Sequence, residues 1–199
     1  MQRFAREIAV AVFVQALLLL HSSGSAAEGR RIPSGLEIGE RAPAFTLKDQ
    51  DGKEVSLGAL LKNGPVALVF YRSADWCMAC QLQLIKLQRH LKEIEAANGQ
   101  LVGISYDSPA LLKRFAARKK ITLPMLSDPG SKTIDAYGVR DKEASEANQG
   151  VANHAIFIVD QEGIIRARSF EVIYDEHPAI DTLIKSLTEA AHPKNPPKR

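Results

Sequence analysis

The chain has 199 residues, with 26 Lys and Arg against 23 Asp and Glu and a formal net charge of +3. The closing stretch PKNPPKR supplies three of the cations and residues 1–27 a net one, so the body between them is nearly neutral. This excludes a strongly basic nucleic-acid binder, and the length suits one domain with a sizeable core.

Residues 1–27 combine a basic start, an apolar run from Ile8 to Leu20 broken only by Gln15, and small residues at Ser25 and Ala27. That layout predicts a secretory signal peptide cleaved after Ala27, with an uncleaved anchor as the weaker reading. The run is shorter than the ~20 apolar residues of a membrane span, so no stable insertion is expected after cleavage. The expected location is periplasmic or secreted. Residues 28–35 read as a linker, 36–192 as the folded domain and 193–199 as a disordered basic tail.

"FTLKDQDGKEVSL" alternates around an Asp-Gly pair and predicts an N-terminal β-hairpin. "PVALVFY", residues 65–71, is a continuous apolar run, the pattern of a strand buried on both faces. After the cysteine stretch, Leu84, Leu87, Leu91 and Ile94 predict one amphipathic helix ending near Asn98-Gly99. "LVGISYD" reads as a second buried strand, and "SPALLKRFAARKK" as a helix capped by Ser108 with Pro109 in its first turn. "LPMLSDPGS" reads as loop or strand edge, "SKTIDAYGV" as a short helix closed by Gly138, and "KEASEANQG" as a mobile surface excursion. "AIFIVDQEGIIRARSF" predicts a hairpin and "PAIDTLIKSLTEAA" a terminal helix. Strands alternating with helices and ending in a hairpin predict an α/β fold with a central mixed sheet.

The chain's two cysteines stand together in "RSADWCMACQLQL". As a staple, a disulfide closing a ~4-residue loop contributes roughly 2 kcal/mol, against roughly 4.7 for a 100-residue loop. A zinc site wants four ligands, and one C-x-x-C supplies too few. Redox chemistry is favoured by position, because the pair follows a buried strand and opens a long helix. A helix N-terminus contributes up to ~2 kcal/mol to an anion, enough to draw a thiol from near 8.5 toward about 7. Cys77, at the helix start, is expected to be the exposed thiolate. Cys80 shares the leucine face and is expected to be the buried partner that resolves a mixed disulfide on Cys77. Arg72 could steady the thiolate or simply form an ion pair, and Asp75 is expected to cap the helix. The basic stretch "RFAARKK" reads as the wet face of a helix, and His90, His177 and His192 show no ligand spacing.

From about residue 36 to 190 the chain resembles the thioredoxin-like superfamily, in particular the redoxin branch of alkyl hydroperoxide reductase and thiol-specific antioxidant proteins. The resemblance rests on "GERAPAFTL", "VFYRSADWCMAC", "LPMLSDPGSKTIDAYGV" and "AIFIVDQEGIIR", in that order. It implies a thioredoxin-like fold and a redox-active Cys77/Cys80 disulfide, with no organic cofactor and no metal. Thiols and disulfides of proteins or small molecules would be its partners. Trp76 would shield the dithiol and offer a flat apolar surface to substrate.

The expected activity is thiol–disulfide exchange, with thiol-dependent peroxide reduction as the close alternative that the resemblance implies. In thiol–disulfide exchange, Cys77 attacks and Cys80 resolves. In peroxiredoxin-like antioxidant chemistry the motif T-x-x-C places Cys80 as the sulfur that attacks hydroperoxide, with Cys77 where the Thr belongs and Ser73 where a Pro opens the motif. Before the closing hairpin, thioredoxin-like enzymes carry a cis proline and peroxiredoxins often an arginine; here the position is His154, and a trans bond is expected. His154 also makes a distant resemblance to copper-delivery proteins of the Sco type, which hold copper with two cysteines and a histidine. Their cysteines are three residues apart, not two.

Overall fold

The computed structural model describes residues 35–170 and 177–193. These lie in one compact unit, Ile32–Arg199. The expected leader, most of the linker and most of the basic tail lie outside the described residues.

One seven-stranded sheet organises the domain, in the order β2-β1-β5-β4-β3-β6-β7. β1 (Thr46–Lys48) and β2 (Glu54–Ser56) form the N-terminal hairpin. Asp49 tightens its turn by accepting the backbone N–H groups of Asp51 and Lys53, and Gly52 takes φ +83° there. The short helix α1 (Leu57–Leu61), capped by the Ser56 hydroxyl, follows at once. It is absent from the sequence reading because five residues are too few to display a period.

β3 (Val66–Phe70) lies parallel to β4 (Gln100–Ser105) and antiparallel to β6 (Ala155–Val159), which makes the sheet mixed as expected. Every residue of β3 is buried, because alternate side chains enter different cores. Val66, Leu68 and Phe70 meet Phe45, Tyr137 and Phe157 on one face. Ala67, Val69 and Tyr71 meet Leu84, Leu87, Ile94 and Phe115 on the other. β5 (Met125–Ser127), expected as loop or edge, is a fully buried strand between β1 and β4. Its three residues are too short to announce themselves by pattern.

The long helix expected after the cysteines is two helices, α2 (Met78–Arg89) and α3 (Leu91–Ala96). At His90 the backbone opens to φ −98°, ψ 7°. The Gln88 side chain crosses to the Thr122 region, its Oε1 accepting the N–H groups of Thr122 and Leu123. Leu87 and Ile94 are both fully buried, so the apolar stripe runs across the break and conceals it.

α4 (Pro109–Lys119) has Ser108 as its cap and Pro109 in its first turn, as predicted. α5 (Lys132–Ala136) is closed at Gly138, φ +67°. "KEASEANQG" contains a single 3-10 turn, Glu146–Asn148. β7 (Ile165–Ser169) completes the hairpin with β6, and α6 (His177–Ala191) packs Ile180, Leu183 and Leu187 onto the α2 side. Among the described residues no helix is long and apolar enough to cross a membrane.

Candidate active site

The C-terminal ends of the parallel strands β3, β4 and β5 converge on one edge of the sheet, and the chemistry-bearing residues gather there. Cys77 is the N-cap of α2, and its Sγ accepts the N–H of Cys80 at 3.3 Å. The two sulfurs are joined as a disulfide, with Cα atoms 5.3 Å apart. Asp75, expected to cap the helix, does not: its carbonyl receives Gln81 Nε2 at 2.7 Å, and its N–H donates to the Ser73 hydroxyl. Cys77 stands two residues nearer the helix and takes the cap itself.

Cys80 is fully buried and Cys77 retains 8% exposure. The order matches the expectation, but Cys77 is less open than an exposed thiolate would be, because both sulfurs belong to the core beneath α2 together with Tyr71 and Leu84. Close to the pair in sequence, Trp76 (42%), Met78 (69%) and Leu82 (50%) are exposed.

The loop entering α2 is held from below by Asp107, two residues past β4. One carboxylate oxygen receives the Ser73 hydroxyl at 2.9 Å, and the other receives the Ala74 N–H at 2.7 Å and the Ser105 hydroxyl at 3.0 Å. Its carbonyl takes the Ser127 hydroxyl at 2.7 Å, tying in β5. Burial raises the Asp107 carboxyl above the usual carboxylate range, opposed by these hydrogen bonds, which favour the ionised form. Sequence reading missed this residue. Its one signal was its place just beyond a buried parallel strand, the end of a sheet where α/β proteins collect their functional groups.

Arg72 leaves the end of β3 and pairs with Asp141 at 2.7 Å. Its guanidinium also lies 5.3 Å from the Trp76 ring centroid, and Trp76 Nε1 donates to the Tyr106 hydroxyl at 3.0 Å. His154 arrives from the segment before β6, which is fastened to the 139–141 strip: Asn153 N–H donates to the Val139 carbonyl and Asp141 N–H to that of Val151. His154 Nε2 stands 3.2 Å from Cys80 Sγ. Burial first, and the Arg72 charge second, hold its imidazole down to about 4. No cis peptide bond occurs among the described residues, so His154 is trans-linked as expected. Cys77, Cys80 and His154 bring their donor atoms within 4.8 Å of one another, yet each sulfur is bonded to the other and neither offers a thiolate to a soft metal.

A buried strand, a C-x-x-C at the helix start beyond it and a parallel sheet edge beneath is a redoxin arrangement. The AhpC/TSA family model matches residues 38–168. The chain belongs to the AhpC/TSA family. Alkyl hydroperoxide reductase E of Mycobacterium tuberculosis is 38% identical over 133 residues, covering 66% of this chain and 83% of that protein. The chloroplastic peroxiredoxin Q of Suaeda salsa is 34% identical over 128 residues, 64% of this chain and 57% of that one. Peroxidoxin BcpB of M. tuberculosis superposes with a TM-score of 0.68 at 24% identity, over 76% of this chain and 96% of its own. AhpC of Enterococcus faecalis gives 0.65 at 26% identity, over 80% and 97%. As an AhpC/TSA member the chain is a thioredoxin-like oxidoreductase of peroxiredoxin type.

Proposed function

We propose that this protein reduces hydroperoxides at the expense of a thiol reductant, with Cys80 as the sulfur that peroxide oxidises and Cys77 as the sulfur that resolves it. The observation that carries this reading is the Cys77–Cys80 disulfide, with Cys80 at the bottom against His154 and Cys77 toward the surface. It is the product that such a sequence of steps leaves behind. The kinship to proteins named alkyl hydroperoxide reductase and peroxiredoxin supports it.

In the first step the Cys80 thiolate attacks one oxygen of ROOH. The O–O bond breaks, Cys80 becomes a sulfenic acid, and the alkoxide leaves as ROH with a proton from water. The Cys77 thiol then attacks the sulfenic sulfur, an S–S bond forms and water departs. A reductant thiolate next attacks Cys77, the more accessible sulfur, and releases Cys80 as thiolate. A second reductant thiol frees Cys77, so two thiols supply the two electrons that the peroxide takes. Trp76, Met78 and Leu82 form the apolar rim on which a protein reductant would rest.

The same sulfurs support thiol–disulfide exchange without peroxide, with Cys77 as nucleophile; the cap position of Cys77 favours this second reading. Peroxide consumption coupled to a dithiol separates the two. Peroxide reduction requires that Cys80→Ser abolish turnover and that Cys77→Ser stall with a sulfenic acid on Cys80. If wild type consumes no peroxide, while Cys80→Ser traps a mixed disulfide through Cys77, exchange is the activity and the peroxidase reading falls.

We further propose export, supported by the leader pattern of residues 1–27. N-terminal sequencing of the mature protein should begin at Glu28; a cytosolic protein beginning at its first residues would refute this.

A further inference from the structure

We propose that His154 is a catalytic hydrogen-bond donor: as a neutral imidazole it directs Nε2–H at the Cys80 thiolate and holds that sulfur ionised. The proposal rests on Cys80 being the sulfur that peroxide oxidises, and it names the group that prepares it.

The geometry is specific to Cys80. His154 Nε2 lies 3.2 Å from its Sγ, a distance suited to a hydrogen bond to sulfur. The groups acting on the ring are Arg72 from the end of β3, with its partner Asp141, and the two sulfurs from the start of α2. A cation beside a largely buried ring opposes a second positive charge on it, so with the two sulfurs joined the ring is held neutral. A neutral imidazole carries one N–H and one bare nitrogen, and a thiolate selects the tautomer that points the N–H toward it. Cys77 does not need the ring, because it already occupies the helix cap. The two thiols are therefore stabilised by different devices, one by the helix end and one by a side chain delivered from the segment before β6, the strand next to β3.

A base that took the Cys80 proton would produce an imidazolium–thiolate pair, whereas a donor leaves the imidazole uncharged. The full-length chain with Cys77→Ser isolates Cys80, whose ionisation is read by thiolate absorbance and by alkylation rate against pH. The Cys80 pKa should lie below the free-thiol value of about 8.5. Adding His154→Ala should raise it by about one unit. Adding His154→Gln, whose amide N–H can still donate, should restore part of that loss. The His154 ring, followed by nitrogen NMR in the reduced Cys77→Ser protein, should show the neutral tautomer protonated at Nε2 between about pH 5 and 8. An unchanged Cys80 pKa in His154→Ala overturns the proposal, as does an imidazolium signal at pH 7. Near-ultraviolet circular dichroism of each variant separates a misfolded protein from a missing donor. If the pKa shifts occur but wild type consumes no peroxide, the donor stands and the peroxidase reading fails.

Discussion

The Asp107 carboxylate accepts the backbone N–H of Ala74 at 2.7 Å, bridging the end of β4 to the loop that enters the cysteine helix. With the Ser73 and Ser105 hydroxyls on the same group, one buried side chain fixes the path by which Cys77 reaches its cap. Asp107→Ala strands a buried N–H and two hydroxyls, and should cost about 2–4 kcal/mol in urea denaturation of the oxidised protein. Asp107→Asn, which keeps the shape, should cost less.

The stabilising effect of Asp107 should weaken as pH rises. Its folded carboxyl is raised by burial, so its favourable contribution is complete below the unfolded value and declines as pH climbs through the folded one. The stability difference between wild type and Asp107→Asn, measured from pH 3.5 upward, should therefore shrink. A difference that grows with pH would contradict the assignment.

His154 acts with the opposite sign. Its imidazole falls from 6.5 to about 4 on folding, so the unfolded chain binds the extra proton between those values. Its contribution is complete above pH 6.5 and is lost as pH falls toward 4, on the order of 3 kcal/mol. His154→Gln should flatten that part of the stability profile. Arg72→Ala, by removing the adjacent charge, should move the imidazole back toward 6.5 in an NMR titration.

Much of this fold could be read directly from the residues. The run "PVALVFY" carried the pattern of a strand covered on both faces, and Ser108-Pro109 marked the start of α4. β5 escaped notice because three buried residues carry no period, and the break at His90 because Leu87 and Ile94 keep the apolar stripe unbroken. The cysteines and His154 were visible as residue types. That His154 Nε2 meets Cys80 was not, since that contact depends on the register of β6 against β3. Asp107 was hidden for a similar reason: its partners lie 33 and 34 residues earlier, and only the parallel pairing of β3 with β4 brings them together.

Trp76 is 42% exposed, hydrogen-bonded to Tyr106 and stacked by Arg72. Trp76→Ala should cost about 2–3 kcal/mol in stability, since more than half of the residue is buried and its hydrogen bond to Tyr106 is lost. It should raise the KM for a protein dithiol several-fold in steady-state turnover. An unaltered KM would remove Trp76 from the reductant rim.

Gly103 on β4 lies under the cysteine helix, where an added Cβ would come within 3.0 Å of Tyr71 Cε1 and 3.5 Å of Leu84 Cδ2. Both neighbours are fully buried and have no room to retreat. Gly103→Ala should destabilise by about 1–3 kcal/mol in thermal or urea melts.

His154 immediately precedes β6, whose first residue, Ala155, sits opposite Phe70. A slip of one position would carry the ring to the opposite face of the sheet. The cysteine loop is local and can close early, but its governing histidine arrives only when a strand more than seventy residues downstream has docked. During refolding, helical content should therefore recover ahead of peroxide turnover, and a chain arrested between the two would carry a Cys80 sulfur that its histidine has not yet met.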